Sequence, residues 1–208
     1  MELAESDTQT RLAARLRQLR IDRGLSLDAL ADRAAVSRSM ISLVERGESS
    51  PTAAVLDRLA AGLGVTLASL FADEPRSGAS PLSRRADQEE WRDPATGYVR
   101  RNLSPPSFAS PIELVEVRLP AGARVAYDTP GARAVGISQQ IYVLDGDVEL
   151  TVGDVAHRLR AGDCLAMRLD TPITFRNPAR RAARYIVALT ADASSLAQSG
   201  NGPRAKAP

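Results

Sequence analysis

The apolar residues of this chain change their spacing once, near residue 73, and this change limits what the chain can fold into. Before it, apolar residues recur at every third or fourth position, as amphipathic helices require. After it, they alternate with polar ones, as in Val115-Glu116-Val117, which is typical of half-buried strands. The pattern predicts an α+β chain of two domains. The expected parts are a helical domain at 8–72, a Pro/Ser/Gly-rich linker at 73–84, a β-barrel domain at 85–191 and a disordered tail at 192–208.

Composition narrows the class of protein. No apolar run approaches the roughly 18 residues needed to cross a bilayer, and the N-terminus MELAESDTQT lacks the pattern of a signal peptide. The single cysteine, Cys164, excludes an intramolecular disulfide framework and any zinc site made of several cysteines. We therefore expect a cytoplasmic protein with no membrane partner. The first 72 residues hold nine arginines and nine acidic residues, so global charge does not indicate a nucleic-acid partner.

The helical part is predicted to contain five short helices. Gly24 and Gly47 lie where helices are expected to end. The expected N-cap residues are Ser26, Ser37, Thr52 and Thr66. The expected helices lie at about 9–23, 27–34, 38–46, 52–63 and 66–71.

Two of these helices meet at a three-residue turn, Ala35-Val36-Ser37, with small residues where the helices must approach closely. This is the arrangement of a helix-turn-helix, whose second helix can enter the major groove of DNA. Short polar side chains near its start can reach base edges, and arginine can bind guanine through two hydrogen bonds. The candidate DNA-binding residues are Ser37, Arg38, Ser39, Ser42 and Arg46. A neutral helical bundle that only dimerises or binds protein is the alternative.

The segment LSLDALADRAAVSRSMISLVERGESSPT, with VLDRLAAGLGV after it, resembles the helix-turn-helix of the XRE-type (Cro/C1 repressor) family over about residues 12–71. The resemblance implies that Glu45 pairs with Arg20 and fixes the angle between the first and third helices. It also implies that the third helix reads DNA. Many relatives carry Gln at the first position of the second helix, where it holds a phosphate, and this chain has Leu27.

The second part shows strands separated by close turns at LDGD, VGDV and RAGD, which is typical of an all-β sandwich or barrel. IYVLDGDVELTVGD, LRAGD and TPITFRNP resemble a cupin, a small jelly-roll barrel, over about residues 112–190. The segment at 91–106, with Trp91 and Tyr98, is expected to wrap the barrel or a partner subunit.

Metal-binding cupins hold an ion with three histidines and a glutamate, and this chain lacks those residues at the matching positions. The glutamate position is Gln139, the third histidine is Ile173, and the first two histidines fall on Ala132 and Ala134 or on Arg133 and Val135. Such side chains are poor metal ligands. His157 is the only histidine and lies away from the pattern. We therefore expect no metal, no other cofactor and no catalytic residue.

A barrel without metal could accept a small organic molecule or be filled by its own side chains. The candidate ligand-binding residues are Tyr127, Arg133, Gln139, Met167 and Ile173. Arg133 would suit a carboxylate.

The two parts together predict a sequence-specific transcriptional regulator that is not an enzyme. A short recognition helix contacts few base pairs, so a homodimer reading a pseudo-palindromic operator on double-stranded DNA is expected. The barrel would dimerise and sense a small-molecule effector. The alternatives are a cupin-type enzyme tethered to a DNA-binding anchor and a barrel that serves only as a structural dimeriser.

Overall fold

A computed structural model describes residues 2–72, 77–128 and 137–191. The predicted helix-turn-helix and cupin parts are both present. Four α-helices precede ten strands: α1 (Glu2–Asp22), α2 (Leu27–Ala34), α3 (Arg38–Glu45) and α4 (Ala53–Leu63). In the described part of the chain, no helix is both long and apolar enough to span a bilayer.

Local side-chain hydrogen bonds explain where three of the helices begin. The hydroxyls of Ser26, Ser37 and Thr52 accept hydrogen bonds from the backbone amide of the third residue of α2, α3 and α4, respectively. Each satisfies a helix N–H that has no partner within its own helix. The helices then bury their apolar stripes against one another around Leu16, Leu30 and other apolar side chains.

Two expectations about the helices need correction. The fifth helix, expected at 66–71, is a single 3-10 turn at Ala68–Leu70, so the described residues contain four α-helices and not five. A segment of six residues can close at most two i→i−4 hydrogen bonds, and segments this short commonly form 3-10 turns. The hydroxyls of Thr66 and Ser69 donate to Glu113 of the barrel. The first helix begins at Glu2 and not near residue 9, because ELAESDTQ contains no Gly or Pro to stop it.

The barrel consists of two antiparallel sheets. The strands are β1 (Glu90–Arg92), β2 (Val99–Asn102), β3 (Ile112–Leu119), β4 (Arg124–Tyr127), β5 (Ile137–Asp145), β6 (Asp147–Val152), β7 (Val155–Arg160), β8 (Cys164–Arg168), β9 (Ile173–Arg176) and β10 (Ala183–Ala191). One sheet has the order β1-β2-β3-β10-β5-β8 and the other β4-β9-β6-β7. Alternation along β5, β6 and β10 directs apolar side chains such as Ile141, Leu150 and Val187 into the space between the sheets.

The segment expected to wrap the barrel adds two strands to its larger sheet. Strand β2 pairs with β3, and β1 pairs with β2. The Trp91 ring contacts Phe71 at 5.7 Å between centroids and Tyr98 at 6.1 Å. Since Phe71 follows the 3-10 turn of the helical part, the segment joins the barrel to the helices, and their buried side chains form one continuous cluster.

Polar contacts reinforce the junction between the two parts. Oδ1 of Asp93 accepts a hydrogen bond from the backbone amide of Ala53 at 3.0 Å. Glu113 accepts from the hydroxyls of Thr66 and Ser69 at 2.6 and 2.9 Å. The helical part is therefore docked on the barrel. The proposed linker ends within this docked region, and its residues 73–76 lie outside the described part, as does the expected tail.

Candidate functional site

Helix α3 is presented to solvent by a turn that the sequence builds locally. Ala35 ends α2 in the left-handed conformation, with φ of 50°, and Val36 is buried at the corner. Ser37 then caps α3, and its hydroxyl also lies 3.2 Å from that of Ser39. Ile41 and Val44 anchor the helix in the core, which leaves the opposite face exposed.

The exposed start of α3 carries the main candidate for base recognition. The Arg38 side chain is 64% exposed, and its Nε lies 3.2 Å from Oδ1 of Asp28 on α2. An exposed ion pair of this kind is weak and readily exchanged for another anion. Arg38 and Ser39 are thus available at one end of the helix surface.

Ser42 and Arg46 lie near the other end of the same helix. The guanidinium of Arg46 donates to both carboxylate oxygens of Glu48, at 2.7 and 2.8 Å, and also contacts the hydroxyl of Ser42. Hydrogen bonding to Glu48 raises the pKa of Arg46. Unlike Arg38, Arg46 is engaged on two sides, so any phosphate contact must compete with Glu48.

Arg20 and Glu45, the pair implied by the family resemblance, form a bidentate ion pair between α1 and α3. Nε donates to Oε1 at 2.7 Å and Nη2 to Oε2 at 2.8 Å, while Nη1 donates to the carbonyl of Leu25 at 2.9 Å. Both side chains are largely buried, and the hydrogen bonds to Glu45 raise the pKa of Arg20. The pair therefore links α1 directly to α3. Leu27, at the start of α2, packs against the core.

A cavity lies at the mouth of the barrel, on the side covered by the helical part. It encloses about 640 Å³ of space between protein atoms, counting its opening to solvent. Barrel side chains form most of its wall, and Asp57 of α4 together with Val65–Leu67 completes it. We call this space the barrel cavity.

Three of the candidate ligand-binding residues, Tyr127, Gln139 and Ile173, line the barrel cavity. Tyr127 packs edge-on against Phe175 at 6.0 Å, and Phe175 stacks on Tyr185 at 5.5 Å, so one wall is aromatic. Met167 is half-buried opposite Gln139 on β8 but does not line this cavity. Arg133 lies outside the described residues.

Sequence reasoning missed two charged residues in the barrel cavity, Asp57 and Arg100. Asp57 is buried on α4, and Arg100 is buried on β2 with its Cζ 5.8 Å from the centre of the Phe71 ring. Nε and Nη2 of Arg100 have no hydrogen-bond partner among the described residues. The local sequence VRRN offers no signal that distinguishes Arg100 from Arg101, because burial follows from the pairing of β2 with β3.

Two tyrosines of the barrel cavity, Tyr127 and Tyr185, have raised pKa values. Burial raises the pKa of Tyr127 well above its ordinary value, and Tyr98, Tyr185 and Asp57 raise it further. Burial likewise raises the pKa of Tyr185, and the nearby Arg100 opposes this effect. Phenol groups, a carboxylate and a guanidinium therefore line the same cavity, together with Thr66, Gln139 and apolar side chains.

The residues of this barrel do not fit the metal site found in many cupins. Gln139 and Ile173 occupy two ligand positions, and neither side chain suits a divalent ion. The other positions, Ala132, Ala134, Arg133 and Val135, lie outside the described residues. Over 2–72, 77–128 and 137–191, the structure contains no cluster of three His, Cys, Asp or Glu residues able to hold a metal. His157 lies opposite Leu150 on the edge strand β7.

Comparisons with known proteins agree with this architecture. Residues 11–70 match the model of a helix-turn-helix domain family, and residues 135–189 match that of the cupin domain family. The chain is 32% identical over 166 residues to the HTH-type transcriptional regulator SutR of Escherichia coli (strain K12), covering 80% of this chain and 86% of that protein. The chain belongs to this family of XRE-type regulators with a C-terminal cupin domain. It is a DNA-binding transcriptional regulator.

One solved structure of a transcriptional regulator is similar over most of this chain. The crystal structure of an HTH_3 family transcriptional regulator from Vibrio cholerae is 28% identical, with a TM-score of 0.70, and the match covers 89% of this chain and 98% of that one. Hydroxypropylphosphonic acid epoxidase from S. wedmorenis matches 88% of this chain and 98% of its own at 18% identity and a TM-score of 0.45. A similarity of that size carries no argument about activity.

Proposed function

We propose that the barrel of this regulator senses a small organic ligand and transmits its binding to the DNA-binding domain. The observation that carries the proposal is that Asp57 of α4 and residues 65–67 form part of the wall of the barrel cavity. A ligand in the cavity therefore contacts both parts of the chain. Such a ligand changes DNA binding if it favours one arrangement of the helices over another.

We also propose that the barrel holds no metal and that the protein is not an enzyme. Support comes from Gln139 and Ile173, which replace metal ligands of the cupin pattern. The only histidine, His157, lies on an edge strand apart from the aromatic wall of the cavity. An enzyme tethered to a DNA-binding anchor would instead require a reactive group in the barrel.

Operator recognition is proposed to use the exposed side of α3, through Ser37, Arg38, Ser39, Ser42 and Arg46. The first three lie at the N-terminal end of α3, where short side chains and backbone amides can meet bases and phosphates. An eight-residue helix reads only a few base pairs. We therefore propose that a homodimer reads two half-sites of a pseudo-palindromic operator.

The outer face of the six-stranded sheet supports a dimer with a second copy of this chain. Large apolar side chains from β3 and β5 lie on this face, between 38% and 49% exposed: Ile112, Leu114, Tyr142 and Leu144. Strand β10 runs between them and contributes Ile186 and Ala188, which pair in register with Tyr142 and Leu114. We call this surface the outer apolar face. A flat apolar face of this kind is typical of a self-complementary contact.

The test begins with the operator, which is selected in vitro from fragments of the source genome by the full-length protein. A broad metabolite collection is then screened for changes in the melting temperature and in operator affinity. We expect at least one small organic molecule to raise the melting temperature and to change the operator Kd by about tenfold, a coupling within the usual range. If operator binding is intact but no metabolite changes either quantity, the barrel is only a structural dimeriser.

A further inference from the structure

The barrel cavity contains a buried cation whose hydrogen-bonding edge is unused. The Arg100 side chain lines the cavity, and the residue is only 5% exposed. Its Nε and Nη2 have no hydrogen-bond partner among the described residues. These two nitrogens form one edge of the guanidinium, where two N–H groups point in parallel.

The neighbouring arginine shows what a partnered side chain looks like in this sheet. Arg101, on the opposite face of β2, forms ion pairs with Glu116 and with Glu90. In the described part of the chain, no carboxylate oxygen lies within 4.0 Å of a nitrogen of Arg100. The Cζ atom of Arg100 lies over the Phe71 ring, 5.8 Å from its centre, and this ring offers the two nitrogens no carboxylate partner. A buried charge without a hydrogen-bond or ion-pair partner destabilises the protein unless another group binds it.

We propose that the effector of this regulator is a small organic carboxylate that binds the Nε and Nη2 edge of Arg100. This inference rests on the proposed function of the barrel as a sensor. Arginine and carboxylate form two parallel charge-assisted hydrogen bonds in this geometry. The stacked rings of Phe175 and Tyr185, with Tyr127 edge-on against Phe175, provide an aromatic wall for the rest of the molecule.

Asp57 connects the proposed effector site to the helices. Its carboxylate lines the same cavity and contributes to the raised pKa of Tyr127. The two sources of a small organic carboxylate are plain monocarboxylates and apolar α-amino acids, which the experiment compares.

The experiment uses the full-length protein and measures melting temperature against ligand concentration. The probes are phenylacetate and 4-methylvalerate, phenylalanine and leucine, and the neutral analogue phenylacetamide. We expect one of the carboxylate pairs to stabilise the wild type and phenylacetamide to have no effect. Arg100→Lys should weaken the effective ligand about tenfold and Arg100→Gln more strongly, since the lost bonds are charge-assisted. Arg118→Gln, on the exposed outer side of β3, is the matched control and should bind like the wild type.

Two results would overturn the inference and leave the sensing function standing. One is stabilisation by phenylacetamide equal to that by the acids, and the other is unchanged affinity in Arg100→Gln. If none of the four acids stabilises the wild type, the inference also fails, and the metabolite screen decides on sensing separately. The melting temperature of Arg100→Met without ligand is a second measurement. We expect it to equal or exceed that of the wild type, whereas a clear decrease would indicate that Arg100 is structural.

Discussion

Oδ1 of Asp93, in the turn between β1 and β2, accepts a hydrogen bond from the backbone amide of Ala53, the first residue of α4. Both residues are buried. The same carboxylate accepts hydrogen bonds from the amide and hydroxyl of Thr96, which hold it in place. A negative charge at the start of α4 also complements the dipole of that helix. One carboxylate therefore joins the barrel to the helix that leads into the 3-10 turn.

Replacement of Asp93 by alanine is expected to destabilise the protein and to loosen the docking of α4. The buried amide of Ala53 would lose a charged partner, at a cost of about 1–3 kcal/mol in the free energy of unfolding. Urea unfolding measures this cost. Asp93→Asn keeps one acceptor oxygen and should lose less. Equal stability of Asp93→Ala and the wild type would contradict the role given to this bond.

Arg38→Ala is expected to remove operator selectivity. A bidentate contact from arginine to a base contributes about 1–3 kcal/mol of discrimination, so the affinity ratio between operator and unrelated DNA should fall about 10- to 100-fold. Footprinting and fluorescence anisotropy measure the loss. Arg158→Ala removes the same charge from an exposed position on β7 and is the control. Identical footprints for Arg38→Ala and the parent would refute the assignment.

Glu45→Ala is expected to destabilise the helical part, because it leaves the largely buried guanidinium of Arg20 without its carboxylate. The loss should be about 2–3 kcal/mol in the free energy of unfolding. Glu48→Ala removes an exposed ion pair with a similar 2.7 Å separation and should leave the melting temperature unchanged. Matching melting temperatures for the two variants would argue that the Arg20–Glu45 pair carries no special role.

Glu116 is expected to make stability depend on acid pH. Burial alone would raise the pKa of Glu116, but hydrogen bonds from Arg184 and Arg101 outweigh it and lower the pKa. A carboxylate with a lowered pKa stabilises the folded state above its unfolded pKa and loses this effect as the pH falls through its folded pKa. Glu116→Gln should thus be less stable than the wild type at neutral pH. The difference should shrink between about pH 5 and about pH 3 in urea unfolding, whereas a constant difference would contradict this account.

Tyr142→Lys is expected to convert the proposed dimer into a monomer by placing a charge in the outer apolar face. Light scattering coupled to size-exclusion chromatography measures the mass. Val155→Lys is the control, since Val155 is an exposed apolar residue on β7 of the other sheet. Operator affinity should fall with the loss of the dimer, because one recognition helix contacts few base pairs. A monomeric wild type, or a dimeric Tyr142→Lys protein, would place the contact elsewhere.

The regular elements could be predicted because their causes are local. Serine and threonine hydroxyls satisfy the amides next to them in the chain, so Ser26, Ser37 and Thr52 indicate helix starts without knowledge of the fold. Thr66 follows the same rule, and its hydroxyl accepts from the amide of Ser69. The segment after it is too short for a regular α-helix and forms a 3-10 turn at Ala68–Leu70. Its contact with Glu113, distant in sequence, could not be predicted from local pattern.

The composition of the barrel cavity depends on contacts distant in sequence. Gln139 and Ile173 were found because the cupin pattern assigns their positions. Arg100 and Asp57 belong to neither a motif nor an apolar stripe. They line the same cavity only because β2 joins the sheet and α4 docks on the barrel. A polar residue on an amphipathic helix is usually exposed, so the sequence pattern does not indicate that Asp57 is buried.

Trp91, Asp93, Tyr98 and Arg100 lie between the two segments that match known families, 11–70 and 135–189. A chimaera that exchanged the barrel for that of a relative at residues 73–84 would also exchange these four side chains. The helical part of this chimaera would keep the residues proposed to contact DNA. It would lose Asp93, the hydrogen-bond partner of the Ala53 amide. Functional chimaeras of this regulator therefore require grafting α4 and the 90–102 hairpin from the same parent.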